Sequence, residues 1–293
     1  MITVIGATGT VGGALVDELL GQRDAPAVRA LVRRQDAARA LAGRGVEPVV
    51  GDFGDAAALG RALDGAERLF LLSPPGDAGM VAAQARIVDV AAERGVRHVV
   101  KLSSIGADEP VQARIVQAHR LIELHVERSG MAWTHLRPHW FMQNELGQAG
   151  AVASGEFHAP DVGRISLVDA RDVAAAAARV LVEDGHERRA YLLTGPEALS
   201  YADIARAFEA VLGHPVAWVP ASLQDARASM LDGGLSPVLA DGFTEILALY
   251  GEGGTPARVS PDLERLLRRP ARSFASFVAD HADHFARLPA AVR

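Results

Sequence analysis

Short apolar runs alternate with amphipathic stretches along the first two thirds of the chain. The runs fall at residues 2–5, 28–32, 48–50, 68–72, 98–102 and 132–136. Runs of this length suit strands buried on both faces of a parallel sheet. Between them, residues 11–20, 36–42, 56–63, 79–94 and 113–128 repeat apolar positions at helical spacing. Asp55 stands where it can cap the third helix. Gly95 and Gly130 follow the fourth and fifth helices as stops. This alternation predicts an α/β fold with a doubly wound parallel sheet and right-handed crossovers.

After residue 150 the rhythm loosens. Residues 164–168 and 190–193 predict strands, and 169–182 an alanine-rich helix. Ser200 opens another helix, with Asp203 completing a variant of the capping box. From residue 214 onward one strand, 216–219, precedes several helices broken by Gly233-Gly234, Gly251 and Gly253-Gly254. The expected division is a nucleotide-binding domain at 1–150, then 151–293 carrying the last sheet elements and a smaller C-terminal α/β substrate lobe over the sheet's C-terminal edge.

The turn after the first strand reads Gly6-Ala7-Thr8-Gly9-Thr10-Val11-Gly12, a GxxGxxG spacing. Gly6 permits a sharp strand exit, Gly9 lets the backbone approach a diphosphate, and Gly12 allows close helix packing. The helix start at Val11 then offers free N–H groups and the positive end of its dipole, and Thr8 and Thr10 add hydroxyl donors. Placed between a first strand and a first helix, this turn marks a Rossmann-type, NAD(P)-binding sheet. The second strand ends at Arg33-Arg34, where an acid would hold a ribose 2′-hydroxyl. Arginine there suits a 2′-phosphate through charge-assisted bonds, so the expected cofactor is NADPH, with Arg33 on the phosphate and Arg34 assisting. Asp52 can accept from the adenine amino group, with Phe53 as an apolar wall. Leu72, Ser73, Pro74 and Pro75 leave strand four along the path expected of the dinucleotide.

Composition narrows the remaining possibilities. The 293 residues, about half of them hydrophobic, suffice for a sizeable core. A net charge of -6 gives no basic excess for nucleic acid. The chain has no cysteine, which removes disulfides, thiol nucleophiles and thiolate metal sites. No apolar run reaches the ~18–20 residues of a membrane span, and Met1 leads straight into a strand, so the expected location is the cytoplasm. His135 and His139 lack an acidic partner at ligand spacing, and no metal is expected.

Six motifs together carry a resemblance: VIGATGTVG at 4–12, ALVRR at 30–34, GDFGD at 51–55, VVKLSSIGA at 99–107, LRPHWFMQN at 136–144 and YLLTGPEALSYADIA at 191–205. The chain resembles NmrA-like, atypical short-chain dehydrogenases/reductases, and within them the NADPH quinone, triphenylmethane and iminium reductases. The resemblance implies an oxidoreductase with its nicotinamide at the ends of strands five and six. Ser103 and Ser104 would then lie near the ring, flanked by Pro138, His139, Trp140 and Phe141, with Asn144 close by. Trp140, Phe141, Met142 and Phe157 suit a flat aromatic substrate, and Trp218 could join them.

Most short-chain dehydrogenases pair a tyrosine with a lysine four residues later, and the ammonium lowers the phenol pKa. None of Tyr191, Tyr201 and Tyr250 has such a partner, and Lys101 is the chain's one lysine. On the helix where the pair belongs, His119 falls near the tyrosine position and Glu123 near the lysine position. A sugar epimerase is therefore disfavoured. Direct hydride transfer to a small conjugated electrophile is the favoured reading, because quinones, iminium ions and dyes need little acid help. His119 is the candidate proton donor. The alternative is a redox sensor of the NmrA type, which binds NADP(H) without catalysis and signals to a protein partner.

Overall fold

The computed structural model describes residues 1–72, 79–251 and 257–286. Ser73, Pro74 and Pro75 lie outside the described residues. The first half alternates strictly: β1 (Ile2–Ile5), α1 (Thr10–Leu20), β2 (Val28–Val32), α2 (Gln35–Ala42), β3 (Glu47–Val50), α3 (Ala56–Leu63), β4 (Arg68–Leu71), α4 (Met80–Glu93), β5 (His98–Leu102), α5 (Arg114–Arg128) and β6 (Ala132–Pro138). Then come α6 (Ala149–Ala153), β7 (Glu156–Ala159), β8 (Arg164–Ile165), α7 (Ala170–Val182), β9 (Arg189–Leu193), β10 (Leu199–Ser200), α8 (Tyr201–Leu212) and β11 (Ala217–Pro220). The chain ends in helices α9 (Leu223–Asp232), α10 (Pro237–Gly251), α11 (Asp262–Leu267), α12 (Phe274–Asp280) and α13 (Ala282–Phe285).

Seven parallel strands form the main sheet in the order β3-β2-β1-β4-β5-β6-β9. The order reverses between β1 and β4, and the carboxyl ends of strands flanking such a reversal leave a crevice for ligands. One apolar cluster, drawn from α1, α2, α7 and α11, covers one face. Another, from α3, α4 and α5, covers the other. Helices on both faces account for the fully buried β1 and β5.

A third cluster gathers α8, α10, α12 and α13 around Phe157, Phe208, Phe274 and Phe277. It is the core of the C-terminal lobe. Two small sheets belong with it, β7 paired parallel with β11 and β8 antiparallel with β10. The expected strand at 164–168 is pared to two residues, because Val168 leaves that pairing for a bridge to Phe141. The lobe is tied to the sheet layers by a buried acid. Asp172 on α7 accepts from Arg269 Nη2 (2.7 Å) and the Arg272 amide (2.6 Å), and is ion-paired with the Arg272 guanidinium.

Helix ends follow the local chemistry. Asp55 accepts from the Ala58 amide and caps α3. Ser200 and Asp203 close a reciprocal capping box on α8.

Candidate functional site

The glycine turn is a cradle shaped by backbone alone. Gly6 sits at φ +86°, and a Cβ there would meet the Leu72 carbonyl oxygen at 2.9 Å. At Gly12 a Cβ would lie 2.1 Å from the Gly6 carbonyl oxygen. The close approach at Gly12 is thus to the turn itself, not to the sheet. Gly9 would meet only the Gly6 oxygen, at 3.4 Å, and leaves its outer face open. No side chain caps α1. Its first hydrogen bond runs from Gly13 to Gly9. The amides of Thr10, Val11 and Gly12 therefore find no acceptor among the described residues.

Arg33 follows β2, exposed and without an ion-pair partner among the described residues. Arg34 grips Asp36 through two bonds, 3.0 and 2.7 Å. Arg33 is thus the available cation of the two. Asp52 Oδ1 accepts from the Gly54 and Asp55 amides, at 2.7 and 3.2 Å, so half of this carboxylate closes its own turn. Phe53 packs against the core beneath the outer strands.

From the cradle a cavity of about 270 Å³ runs along the carboxyl edge of the sheet. Thr10, Val11 and Leu72 border one end. Ser103, Ser104 and Pro138 come from the ends of β5 and β6, and Trp140, Phe141 and Asn144 from the segment that follows. Helix α10 closes the far wall with Phe243, Ile246 and Tyr250. Trp140 meets Phe243 edge-on, with ring centroids 5.6 Å apart, and its indole N–H donates to Glu145 Oε1 at 3.0 Å. His139 lies against Tyr250 with centroids 4.9 Å apart, and its Nδ1 accepts from the Trp140 amide at 2.6 Å. Ser103 Oγ is buried beside the cavity. A larger cleft of about 700 Å³ lies between α1, α7 and α11. Its Asp17, Arg179, Arg269 and Arg272 are all ion-paired, and it holds none of the expected site residues.

His119 borders the cavity from α5. The buried face of that helix runs Ile115, Val116, His119, Ile122, Glu123 and Val126, so two polar side chains occupy an apolar stripe. Burial, and then the Lys101 charge, hold the His119 imidazole well below its usual pKa. Lys101, fully buried on β5, places Nζ 2.9 Å from His119 Nδ1 and 2.8 Å from the Leu102 carbonyl oxygen. Burial brings this ammonium down to about 7, against a smaller opposing pull from Glu123. Glu123 is held by Arg137 through two bonds, 2.9 and 2.8 Å. Burial pushes its carboxyl up, but Arg137, His135 and Ser103 together more than offset this and its pKa stays low. Glu123 therefore pairs with β6 and is not the partner of His119.

Two expectations need correction. Phe157 is fully buried and stacks within the lobe core on Tyr201 and Phe208, with centroids 5.9 and 5.4 Å away. It belongs to the packing of the lobe and not to the cavity, as does buried Met142. His135 also has acidic neighbours after all. Glu123, Glu127 and His135 bring ligating atoms within 4.8 Å of one another. Their carboxylates are engaged by Arg137 and Arg120, which makes this an ion-pair network. Sequence reasoning missed Ile115, Phe243, Ile246 and Tyr250 in the cavity, and the partnership of Lys101 with His119.

The model of the NmrA-like family matches residues 1–256. An NAD(P)H azoreductase of Xenophilus azovorans is 40% identical over 291 residues, covering 97% of this chain and 99% of that protein. A (4-alkanoyl-5-oxo-2,5-dihydrofuran-3-yl)methyl phosphate reductase of Streptomyces griseus is 38% identical over 293 residues, covering 98% and 99%. Among solved structures, the NADPH complex of an Escherichia coli NADPH-dependent quinone oxidoreductase superposes with a TM-score of 0.86 at 31% identity, covering 97% of this chain and all of that one. No helix among the described residues is long and apolar enough to cross a membrane.

Proposed function

The chain belongs to the NmrA-like family, and from that premise we propose that this NAD(P)H-dependent oxidoreductase passes hydride directly to a small conjugated electrophile without a tyrosine–lysine pair. The observation that carries the reading is the placement of the cavity. It begins at the uncapped amides of α1 and ends in a wall of aromatic rings.

The cradle fits a dinucleotide. Three unpartnered amides and the open face of Gly9 suit a diphosphate. Arg33, without an ion-pair partner among the described residues, suits a 2′-phosphate, which favours NADPH. Arg34, Asp52 and Phe53 lie on the adenosine side, and Ser103 and Pro138 on the nicotinamide side. When bound, NADPH supplies the hydride. The protein's part is to orient and to exclude water, through Pro138, His139, Trp140, Phe141 and Asn144 and through the rings of α10. Tyr250 reaches the cavity, but burial raises its phenol pKa and no lysine stands beside it, so it is a poor acid. His119 remains as the proton donor. Its Nδ1 faces Lys101, and its Nε2 makes no hydrogen bond among the described residues.

The acceptors we propose are quinones, azo compounds and cationic dyes, flat molecules that the aromatic wall suits. A sensor that only binds NADP(H) would not need an open aromatic space beside its cradle, which favours the enzyme. The test is loss of NADPH absorbance in the presence of each acceptor class, with calorimetry of NADPH binding alongside. Binding without turnover across the panel would leave the sensor.

A further inference from the structure

We propose that Lys101 and His119 form a proton-delivery pair, an imidazole–ammonium couple assembled from β5 and α5 in which His119 Nε2 hands the proton to the acceptor and Lys101 Nζ positions and replenishes it through Nδ1. The proposal rests on the reductase reading above. It adds a positioning residue that stands on a different element from the helix where a tyrosine–lysine pair would lie.

The geometry sets the tautomer. While Lys101 is an ammonium it can only donate, so at 2.9 Å from Nζ the His119 Nδ1 then accepts. The imidazole proton is then on Nε2, the one ring nitrogen without a partner among the described residues, in a side chain that borders the cavity. Lys101 donates to His119 and to the Leu102 carbonyl, and no carboxylate among the described residues bonds to it directly. A buried ammonium without a carboxylate partner is poorly stabilised, so a proton on Nζ is readily passed on.

The groups facing the pair leave this proton mobile. Glu123 on α5 favours the ammonium, but both its oxygens are held by Arg137 of β6. His135 stands beside Lys101 in the β5–β6 register, and burial drops its pKa to about 4, so it adds no charge near neutrality. Arg120 is drawn away to Glu123 and Glu127. Tyr250 borders the same cavity, and burial raises its phenol pKa, so it adds no charge near neutrality.

The step balances. The acceptor gains a hydride from NADPH, which is oxidised, and a proton from His119 Nε2. As that N–H bond breaks, Nδ1 takes a proton from Lys101 Nζ, and the lysine is left neutral. Solvent then protonates Nε2, Nδ1 returns its proton to Nζ, and the pair is reset. An acceptor whose reduced form needs a proton on oxygen, such as a quinone, depends on this step. A cationic dye, whose positive charge the hydride cancels, does not.

Because Lys101 is the only lysine, ¹⁵N-lysine labelling yields a single side-chain signal, and no variant is needed to read it. We expect the Nζ signal to titrate near neutrality, several units below a free lysine, and His119→Gln to move its midpoint. In kinetics, quinone turnover should fall as pH rises through that midpoint. Lys101→Met should abolish this limb and lower the ratio of quinone to dye turnover about tenfold or more, within the range of general acid catalysis. A lysine midpoint above about 9, near the free value, would overturn the pair without touching the reductase reading. So would a pH profile unchanged in Lys101→Met. Wild-type protein that binds NADPH and reduces neither acceptor would instead sink the reductase reading, and with it any role for the pair in catalysis. Should Lys101→Met fail to fold, the wild-type titration and the His119→Gln profile decide alone.

Discussion

The two ends of the cavity are built from different materials. The end proposed for the cofactor is backbone, seven consecutive residues from Gly6 to Gly12, with shape set by where a Cβ cannot fit. The end proposed for the acceptor is side chain, drawn from β5, α5, the segment after β6 and α10. A backbone cradle serves one ligand and has little room to vary. A wall of side chains can be exchanged ring by ring while the sheet stays intact. The same frame can therefore present one cofactor to many acceptors.

The sharpest way to break the contrast is at Gly12. A methyl group there would lie 2.1 Å from the Gly6 carbonyl oxygen, so Gly12→Ala must move the turn or the helix. We expect NADPH affinity to fall at least a hundredfold, about 3 kcal/mol, with the far wall unaffected. Calorimetry reads the loss. Affinity within threefold of the parent would show that the cradle is softer than its contacts imply.

Arg33→Ala comes next. A charge-assisted bond contributes about 1.5–3 kcal/mol, so NADPH should weaken roughly ten- to hundredfold while NADH hardly changes. Equal losses for both cofactors would remove the 2′-phosphate assignment. Arg34→Ala is the control, because Arg34 is already committed to Asp36.

The same contrast explains what could be read from the sequence. The cradle was legible because glycine spacing and a strand–helix boundary are local. The helix at Ala56–Leu63 and its Asp55 cap were legible for the same reason. The acceptor end joins residues more than a hundred positions apart, and nothing local announces that Phe243 will face Trp140. Phe157 misled for the complementary reason. An aromatic residue near a site motif and one in a lobe core look alike until β7 finds its partner β11. Two signals were present and under-read. Lys101 interrupts a run otherwise fit for a strand buried on both faces, and His119 falls on the apolar stripe of α5. A polar residue at each such position calls for a partner, and each is the other's.

At the acceptor end the expected effect is smaller. Phe243→Ala removes one edge contact to Trp140, and an aromatic pair contributes about 0.5–1.5 kcal/mol beyond its buried area. KM for an aromatic acceptor should rise roughly two- to tenfold, with NADPH affinity unchanged. A fall in NADPH affinity equal to the rise in KM would mean that the two ends are not separable.

The smallest effect concerns the support beneath that wall. Glu145 is 5% exposed, and burial raises its carboxyl pKa from 4.5 to about 7, opposed only in part by the Trp140 indole N–H. The folded state thus holds this proton more tightly than the unfolded chain does. Below pH 4.5 the group is protonated in both states and carries no penalty. As pH rises from 4.5 to 7 the unfolded chain ionises first, and the stability that the retained proton conferred is lost. Glu145→Gln keeps an oxygen for Trp140 and cannot ionise. Its Tm should therefore decline less than that of the parent between pH 5 and pH 7.5, and should lie a few degrees higher at pH 8. Parallel Tm curves would mean that Glu145 stays ionised in the fold, with the ring of Trp140 held against a charge instead of a neutral acid.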